Sequence, residues 1–275
     1  MKNYSVLMSV YYKERPEYLR QAMKSIFNQT VLTNDFVLIC DGPLTEELDA
    51  VINEFKHIHE DILNVYRIEN NVGLGNALNL GISECKNELV ARMDSDDISR
   101  KQRCEKQLEI FEKDDSIDIV SGTIEEFVGD IKNVKSCRNL PEKNQDIIKF
   151  AKSRSPFNHA CIMYKKNKVI EAGSYKDFYF LEDYYLWIRM LNSGCHGYNI
   201  QEPLLWVRAG NDMYKRRSGI KYVKSQKNLL TYMKKIGFIN KLEFIIGVLI
   251  RTCVSLSPNL LRKYLYNNFL RNKNR

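Results

Sequence analysis

The chain has 275 residues, of which 44% are hydrophobic, enough for one large globular domain or for a domain with an appendage. Its seven cysteines are odd in number and include no Cys-x-x-Cys pair, which argues against disulfides and a zinc site and favours a reducing compartment. The net charge of +8 is uneven, because residues 208–275 carry 16 Lys and Arg against two acidic residues. We therefore expect the basic end to face an anionic surface, either nucleic acid or membrane.

The first 121 residues alternate between short apolar runs and segments with helical periodicity, which predicts an open, largely parallel sheet covered by helices on both faces. The first residues enter a strand pattern with no signal-peptide hydrophobic region, so we expect a cytoplasmic protein. The predicted elements are, in chain order, strand 5–10, a helix from 16, strand 36–40, helix 48–55, strand 62–68, helix 74–85, strand 88–93, helix 103–113 and strand 117–121.

The pattern is less regular beyond this point. We expect strands at 123–128 and 160–164 and helices at 146–152 and 184–191. Residues 237–251 are apolar but too short and too charged to span a bilayer. Residues 260–271 form a basic amphipathic pattern, which is typical of helices at a membrane interface. The alternative is a helix pair that packs on the rest of the chain or on a second copy in a homodimer.

Polar residues follow each of the first four predicted strands. They are Tyr11, Asp41, Asn71 with Gly73, and Asp94 with Asp96. Because ligands of open parallel sheets bind outside the carboxyl ends of the strands, we expect these side chains to share one site.

The acidic stretch 94–97 holds three carboxylates in four positions. In an extended segment Asp94 and Asp96 point to the same side, which suits Mg²⁺ or Mn²⁺ bound together with substrate phosphates. An acidic turn that caps the next helix is the alternative. A calcium loop of the EF-hand type is disfavoured, because Ser99 stands where that loop needs glycine and Ile98 offers no ligand oxygen.

The glycine-containing stretch 71–78 does not match a dinucleotide-binding fingerprint. Leu78 stands where the third glycine is required, and the stretch follows the third strand instead of the first. Two interpretations of this stretch remain: a tight turn into a helix, or a helix start that binds a nucleotide phosphate or ribose.

Five segments together resemble family 2 glycosyltransferases with the GT-A fold. The segments are 9–16, 40–42, 71–81, 92–97 and 182–187, and the resemblance covers about residues 4–217. It is strongest to bacterial enzymes that build capsule, exopolysaccharide or O-antigen repeat units. It implies a Rossmann-like catalytic domain at 1–217, with a donor half at about 1–100 and an acceptor half at about 101–217. Residues 218–275 then form a helical tail.

The resemblance also implies roles for individual residues. Tyr11 and Asp41 should hold a uracil base, Glu14 should shape that pocket, and Asp94 and Asp96 should hold the ribose and the metal ion. The remaining members of the implied nucleotide-sugar site are Val10, Asn71, Gly73, Asn79, Ser95, Arg208, Arg216 and Arg217. The sequence departs from the family pattern at Cys40, where the family often has Asp, and at Leu78, where it often has Arg.

On the acceptor side the resemblance implies Asp183 as the general base, with Glu182, His159 and Trp187 nearby. An N-terminal cap of the following helix is the other reading of Asp183. His159 could instead be a structural histidine, and the arginines of 208–217 could form a solvated basic loop instead of a clamp on the diphosphate.

These features predict an inverting, Mn²⁺- or Mg²⁺-dependent glycosyltransferase that moves a sugar from a UDP-sugar to a hydroxyl of a lipid-linked saccharide. It would lie peripherally at the inner face of the bacterial cell membrane. A sugar-1-phosphate nucleotidyltransferase would need a glycine-rich basic signature after the first strand, and 11–14 has no glycine. A nucleic-acid-binding protein is disfavoured because no recognised nucleic-acid motif is present, so we expect no nucleic-acid partner.

Overall fold

The computed structural model describes residues 2–209 and 218–258. These residues form one nine-stranded sheet with helices on both faces. The strands are β1 Tyr4–Val10, β2 Asp35–Asp41, β3 Leu63–Ile68, β4 Leu89–Asp94, β5 Ile98–Ser99, β6 Ile117–Val128, β7 Asp130–Arg138, β8 Ile162–Lys165 and β9 His196–Arg208. The helices are α1 Pro16–Phe27, α2 Glu46–Ile58, α3 Leu74–Glu84, α4 Arg103–Lys113, α5 Asn144–Ala151, α6 Lys166–Glu171, α7 Glu182–Asn192, α8 Ile220–Lys235 and α9 Lys241–Leu256.

The sheet has a parallel half and a mixed half. Its order is β3-β2-β1-β4-β8-β6-β9-β5, and β7 pairs with β6 outside this path. The first four strands in this order are parallel, whereas β8 is antiparallel to both of its neighbours and β6 is parallel to β9. The predicted α/β fold with a largely parallel sheet is confirmed.

Side chains that alternate along each strand enter two separate cores. Val6, Met8 and Val10 of β1 join a cluster with α1, α2 and α4, whereas Leu7 joins a second cluster with α3, α5, α7 and α8. The approach of α3 to the sheet depends on Gly81, since a Cβ there would lie 2.2 Å from Leu7 Cδ1. Burial on both faces explains why these strands read as continuous apolar runs.

The register of the parallel half aligns the carboxyl ends of the strands. Val10 lies opposite Cys40, Ser9 lies opposite Asp94, and Asp41 lies opposite Ile68. Gly42 then turns the chain with φ +87°, and a Cβ there would lie 2.9 Å from the Asn71 backbone nitrogen. Only glycine fits such a position, so the loops after β2 and β3 are held against each other.

The expected elements of the first 121 residues are present with bounds that move by a few residues at most. The predictions differ from the structure where the chain is half exposed. The strands expected at 117–121 and 123–128 are one strand, β6, and a 3-10 turn, His159–Cys161, replaces the start of the strand expected at 160–164. Strands β5, β7 and β9 are additional; β5 has only two residues, and β7 is largely exposed and lacks a regular apolar pattern.

The two last helices pack against the rest of the chain. Leu229, Leu230 and Met233 of α8 lie in the same core as α3 and α7, and α9 approaches α8 closely at Gly247. A capping box between Asn240 and Glu243 begins α9. The apolar segment expected at 237–251 thus corresponds to α9, while the one at 260–271 lies outside the described residues. In the described parts of the chain no helix has the length and apolar character to cross a membrane.

Candidate active site

Three carboxylates meet at the carboxyl end of β4. One oxygen each of Asp94, Asp96 and Asp97 lies within 4.8 Å of the others. Burial, followed by the nearby charges of Asp94 and Glu14, raises the pKa of Asp96 to about 7. Burial and Asp96 likewise raise the pKa of Asp97 well above its ordinary value. The negative charge is therefore undercompensated by the protein, and an all-oxygen donor set of this kind fits Mg²⁺ or Mn²⁺.

A buried arginine stands beside this acidic cluster. Arg92, two residues before Asp94 on the same strand, is only 1% exposed, and its Nη2 pairs with the Asp94 carboxylate. Its Nε and Nη1 are buried and have no hydrogen-bond partner among the described residues. Our sequence analysis did not single out Arg92. The available signal was a charged residue inside the apolar run 89–93, which is costly to bury without a purpose.

Asp41 organises the loop that follows β3. Its carboxylate accepts hydrogen bonds from the backbone N–H groups of Val72, at 2.7 Å, and Gly73, at 3.1 Å, and from Asn71 Nδ2 at 3.0 Å. Asp41 is nearly inaccessible to solvent, whereas Asn71 is exposed. The Asp41 carboxylate, which is expected to hold a uracil base, thus also fixes the loop that begins α3, where Gly73 takes φ +83°.

The expected base pocket is formed by the end of β1 and the acidic turn. Tyr11 is exposed and follows the buried Val10. Glu14 accepts a hydrogen bond of 2.7 Å from the Ser95 hydroxyl, which ties the loop after β1 to the acidic turn. The Glu14 N–H also donates to the Tyr11 carbonyl at 3.0 Å, so the loop that carries Tyr11 and Glu14 is joined to Ser95.

Arg208, the last residue of β9, binds the acidic turn. Its backbone N–H donates to Asp97 at 2.9 Å, its Nε donates to the Asp96 carbonyl at 3.0 Å, and its guanidinium lies 3.7 Å from the centre of the Tyr18 ring. These contacts bind Arg208 to the protein itself and support the acidic turn. Arg216 and Arg217, the other members of the expected diphosphate clamp, lie outside the described residues.

Glu182 and Asp183 begin α7 and lie close to the same cluster. Burial, then the charge of Asp183, raises the pKa of Glu182 to about 7, and the charge of Asp94 acts in the same direction. Neither residue is the N-cap, which is Leu181 and makes no side-chain capping bond. Phe180, immediately before, has a left-handed φ of 55°, which is strained for an aromatic residue. The expected base is thus held at a sharply turned helix start.

The other acceptor-side residues form a layer beneath the site. His159 Nε2 lies 2.8 Å from the Tyr175 hydroxyl, and burial together with the charge of Arg92 lowers the pKa of His159 well below its ordinary value. Trp187 is fully buried and packs edge-on against His159. Trp187 therefore supports the acceptor side from within the core.

Asn79 is used inside the fold. Its Oδ1 accepts from the Tyr175 N–H and its Nδ2 donates to the Tyr175 carbonyl, at 2.8 and 2.7 Å. Both polar atoms of the Asn79 side chain thus take part in a link between α3 and the segment that leads to α7. Gly75, on the same helix, also lies close to this segment, since a Cβ there would make ordinary contacts of 3.7 Å with the Tyr175 Cβ and 3.9 Å with that of Glu182.

This combination of sheet and strand-end carboxylates is that of a GT-A glycosyltransferase. The fold matches that of Staphylococcus aureus TarS, residues 1–349, solved with UDP-GlcNAc, with a TM-score of 0.70 at 13% identity over 96% of this chain and 75% of that one. It also matches the mannosyltransferase PcManGT from Pyrobaculum calidifontis, solved with GDP-Man and Mn²⁺, with a TM-score of 0.61 at 13% identity over 92% of this chain and 69% of that one.

The family follows from the sequence comparisons. The model of "Glycosyl transferase family 2" matches residues 5–178, so the chain belongs to this family. The chain is 37% identical to an Escherichia coli UDP-Gal:alpha-D-GlcNAc-diphosphoundecaprenol beta-1,3-galactosyltransferase, over 98% of this chain and 96% of that protein. It is 39% identical to the amylovoran biosynthesis glycosyltransferase AmsE of Erwinia amylovora, over 96% of this chain and 97% of that protein. The protein is a family 2 glycosyltransferase of bacterial polysaccharide biosynthesis.

Proposed function

We propose that this glycosyltransferase moves a sugar from a UDP-sugar to a hydroxyl of a lipid-linked, diphosphate-bearing saccharide, with inversion at the anomeric carbon. The observation that carries the proposal is the convergence of two acidic groups, Asp94, Asp96 and Asp97 at the end of β4 and Glu182 with Asp183 at the start of α7. The first group suits a metal-bound diphosphate, and the second stands where an acceptor hydroxyl would lose its proton.

In the reaction, Asp183 takes the proton of the acceptor hydroxyl while the hydroxyl oxygen bonds to the anomeric carbon of the donor. The bond between that carbon and the phosphate oxygen breaks, and its electron pair leaves with UDP. A single displacement of this kind inverts the anomeric carbon. Asp94 and Asp96 would hold a divalent cation, whose chemistry is to neutralise the charge on the leaving diphosphate.

The chain's own residues keep these groups in place. Arg92 pairs with Asp94, so the first carboxylate is oriented and its charge is partly compensated before any ligand binds. Arg208 holds the acidic turn through its backbone N–H and its Nε. Asp41 fixes the loop at Asn71 to Gly73 beside the exposed Tyr11, where a uracil base would lie.

The acceptor class and the membrane association rest on two supports. One is the name of the E. coli relative, which specifies a diphosphoundecaprenol acceptor. The other is the outward face of α9, where Leu242, Ile246, Leu249 and Ile250 are all exposed. An exposed apolar helix face of this kind, in the basic terminal part of the chain, suits peripheral binding to an anionic membrane. The proposal also divides the chain into a catalytic part, 1–217, and a helical tail, 218–275.

The test is a transfer assay with a panel of nucleotide sugars and a synthetic N-acetylglucosaminyl diphosphate with a long alkyl chain, with and without Mn²⁺ or Mg²⁺. We expect UDP to be released and one sugar to be transferred only when metal is present, with the opposite anomeric configuration to that of the donor. Release of diphosphate from UTP and a sugar 1-phosphate would identify a nucleotidyltransferase instead. Transfer with retained configuration would overturn the single displacement.

A further inference from the structure

A cavity of about 330 Å³ lies on the side of Asp183 that faces the last two helices. Its walls come from five parts of the chain: the end of β7, the loop 153–155, the start of α7, and one side each of α8 and α9. Asp183 lies in this wall and also raises the pKa of Glu182, as does Asp94. The cavity therefore adjoins the proposed catalytic base and is separate from the strand ends that form the donor site.

The charge of this cavity is strongly positive. Arg138, Arg154 and Arg251 line it, against Asp183 as the single carboxylate in its wall. Guanidinium groups form paired hydrogen bonds with phosphate oxygens, which makes three of them around one cavity suitable for a diphosphate. In the proposed function a cation held by Asp94 and Asp96, outside this cavity, would bind the donor diphosphate, so the guanidinium groups of the cavity are not needed for the donor.

Two of these arginines are fixed in position by the loop between them. Arg138 Nη2 donates to the Ser155 carbonyl at 3.0 Å, and Arg251 Nη2 donates to the Ser153 carbonyl at 2.8 Å. Arg251 also donates to the Tyr184 hydroxyl at 3.3 Å, next to Asp183 in sequence. Their bonds to this loop hold the guanidinium groups in place before a ligand arrives, which lowers the entropic cost of binding.

The cavity continues into an apolar surface. Ile250 and Phe180 both line it and are both exposed, at 59% and 42%. Ile250 belongs to the outward apolar face of α9 together with Ile246 and Leu249. An acceptor that enters here contacts the proposed base Asp183 at one side, the arginines in the cavity, and the apolar face of α9 beyond them. That sequence of chemistries is the one found along a sugar-diphosphate-lipid molecule.

We infer that this cavity is the acceptor subsite, in which Arg138, Arg154 and Arg251 bind the diphosphate of a lipid-linked saccharide and the α9 face receives the first part of its lipid chain. The inference rests on the proposed function and adds to it the residues that select the acceptor. It predicts that the enzyme recognises the diphosphate itself and distinguishes it from a neutral glycoside with the same sugar and lipid.

The test uses the full chain and three acceptors that share one sugar and one long alkyl chain but differ in the link: diphosphate, monophosphate, or none. Wild-type enzyme should have its lowest KM with the diphosphate. Arg154→Gln and Arg251→Gln should raise that KM at least tenfold, while the KM for the UDP-sugar and for the neutral glycoside stay unchanged. Arg20→Gln, which removes an exposed arginine that pairs with Glu54, is the matched control and should change none of them.

Two further variants separate binding from folding and test the lipid path. Arg251→Lys keeps the charge, so it should restore part of the diphosphate preference if Arg251→Gln lowers it. Ile250→Ser should raise the KM of a long-chain diphosphate acceptor and leave that of a short-chain one unchanged. An unaltered diphosphate preference in Arg154→Gln and Arg251→Gln would overturn the inference, as would a rise in the KM of the UDP-sugar alone. Failure of the proposed function would look different, since wild-type enzyme would then glycosylate none of the three acceptors.

Discussion

The side chain of Asn79 binds the backbone of Tyr175 through both of its polar atoms, with distances of 2.8 and 2.7 Å. This pair joins α3, which begins at the proposed donor site, to the segment that leads into Glu182 and Asp183. Tyr175 is buried and its hydroxyl contacts His159, so the link continues into the layer beneath the site. Asn79 therefore sets the spacing between the donor and acceptor sides.

We expect Asn79→Ala to destabilise the protein by about 1–3 kcal/mol, because it leaves the N–H and the carbonyl of Tyr175 without their partner. The thermal shift caused by UDP and Mn²⁺ should persist in this variant. Asn76→Ala, on the exposed side of the same helix, is the control and should lower the free energy of unfolding by less. A stable Asn79→Ala protein that no longer responds to UDP would return Asn79 to the nucleotide site.

The metal assignment is tested by Asp96→Asn. The amide keeps the shape of the side chain and removes the charge that a divalent cation needs. UDP should stabilise wild-type protein more in the presence of Mn²⁺ than of chelator, and this metal-dependent difference should vanish in the variant. Asp130→Asn, an exposed aspartate on β7, serves as control. If Asp96→Asn retains the full difference, Asp96 is not a metal ligand.

The base assignment is tested by Asp183→Asn. An amide cannot take the acceptor proton, so transfer should fall about 10²-fold or more. The KM for the UDP-sugar should hardly change, because the proposed donor site lies at the strand ends. Asp177→Asn, an exposed aspartate six residues earlier, should transfer normally. Turnover close to wild type in Asp183→Asn would remove Asp183 from the chemistry.

Glu182 predicts a pH dependence of stability in metal-free protein. Its folded-state pKa is raised to about 7, mainly by burial and then by Asp183, whereas an unfolded glutamate titrates near its ordinary value of 4.5. Between these values the folded state holds more protons, so the free energy of unfolding falls as pH rises, by at most about 1.4 kcal/mol per pH unit for this group. Asp96 and Asp97 act in the same direction.

Glu182→Gln should make the free energy of unfolding less dependent on pH between about pH 4.5 and pH 7. The variant should exceed wild type in this free energy by the largest amount near pH 7. Urea unfolding in the presence of chelator at several pH values measures this slope. The contribution of Asp96 and Asp97 is common to both proteins and cancels in the difference. Parallel curves for the two proteins would show that Glu182 is ionised in the folded state without cost.

Membrane binding is tested at the exposed face of α9. Leu249→Glu introduces a charge where the side chain is 60% exposed, so the fold should tolerate it while binding to anionic vesicles weakens. Leu32→Glu, at a 61% exposed position outside this helix, is the matched control. Wild-type binding should also weaken at high salt, because the attraction to the leaflet is screened. Equal vesicle binding by both variants would contradict an α9 contact.

The sequence predicted the structure well where the local pattern of apolar and polar residues directly reflects burial in the fold. The parallel strands are buried on both faces, so their apolar runs and the polar residues at their ends could be read directly. The sequence could not show that Asn79 turns to Tyr175, since its partner lies 96 residues away and offers only backbone atoms. The same holds for Arg138, Arg154 and Arg251, which come together only through the packing of α7 and α9. Arg92 was visible as a charge in a strand, but its pairing with Asp94 needed the structure.

The short strand β5 pairs with β9 through Ile98 and Ser99, and the backbone of Arg208 bonds to Asp97 across 111 residues of sequence. The acidic turn at 94–97 is thus held by two stretches of chain that are far apart in sequence. Hybrids between this enzyme and its E. coli or Erwinia relatives that are joined near residue 100 would take the two stretches from different parents. Hybrids that exchange both an internal block between the two stretches and the helices α8 and α9 would keep the turn matched and would replace Arg138, Arg154 and Arg251 together. These two segments together are the natural unit for transplanting acceptor specificity.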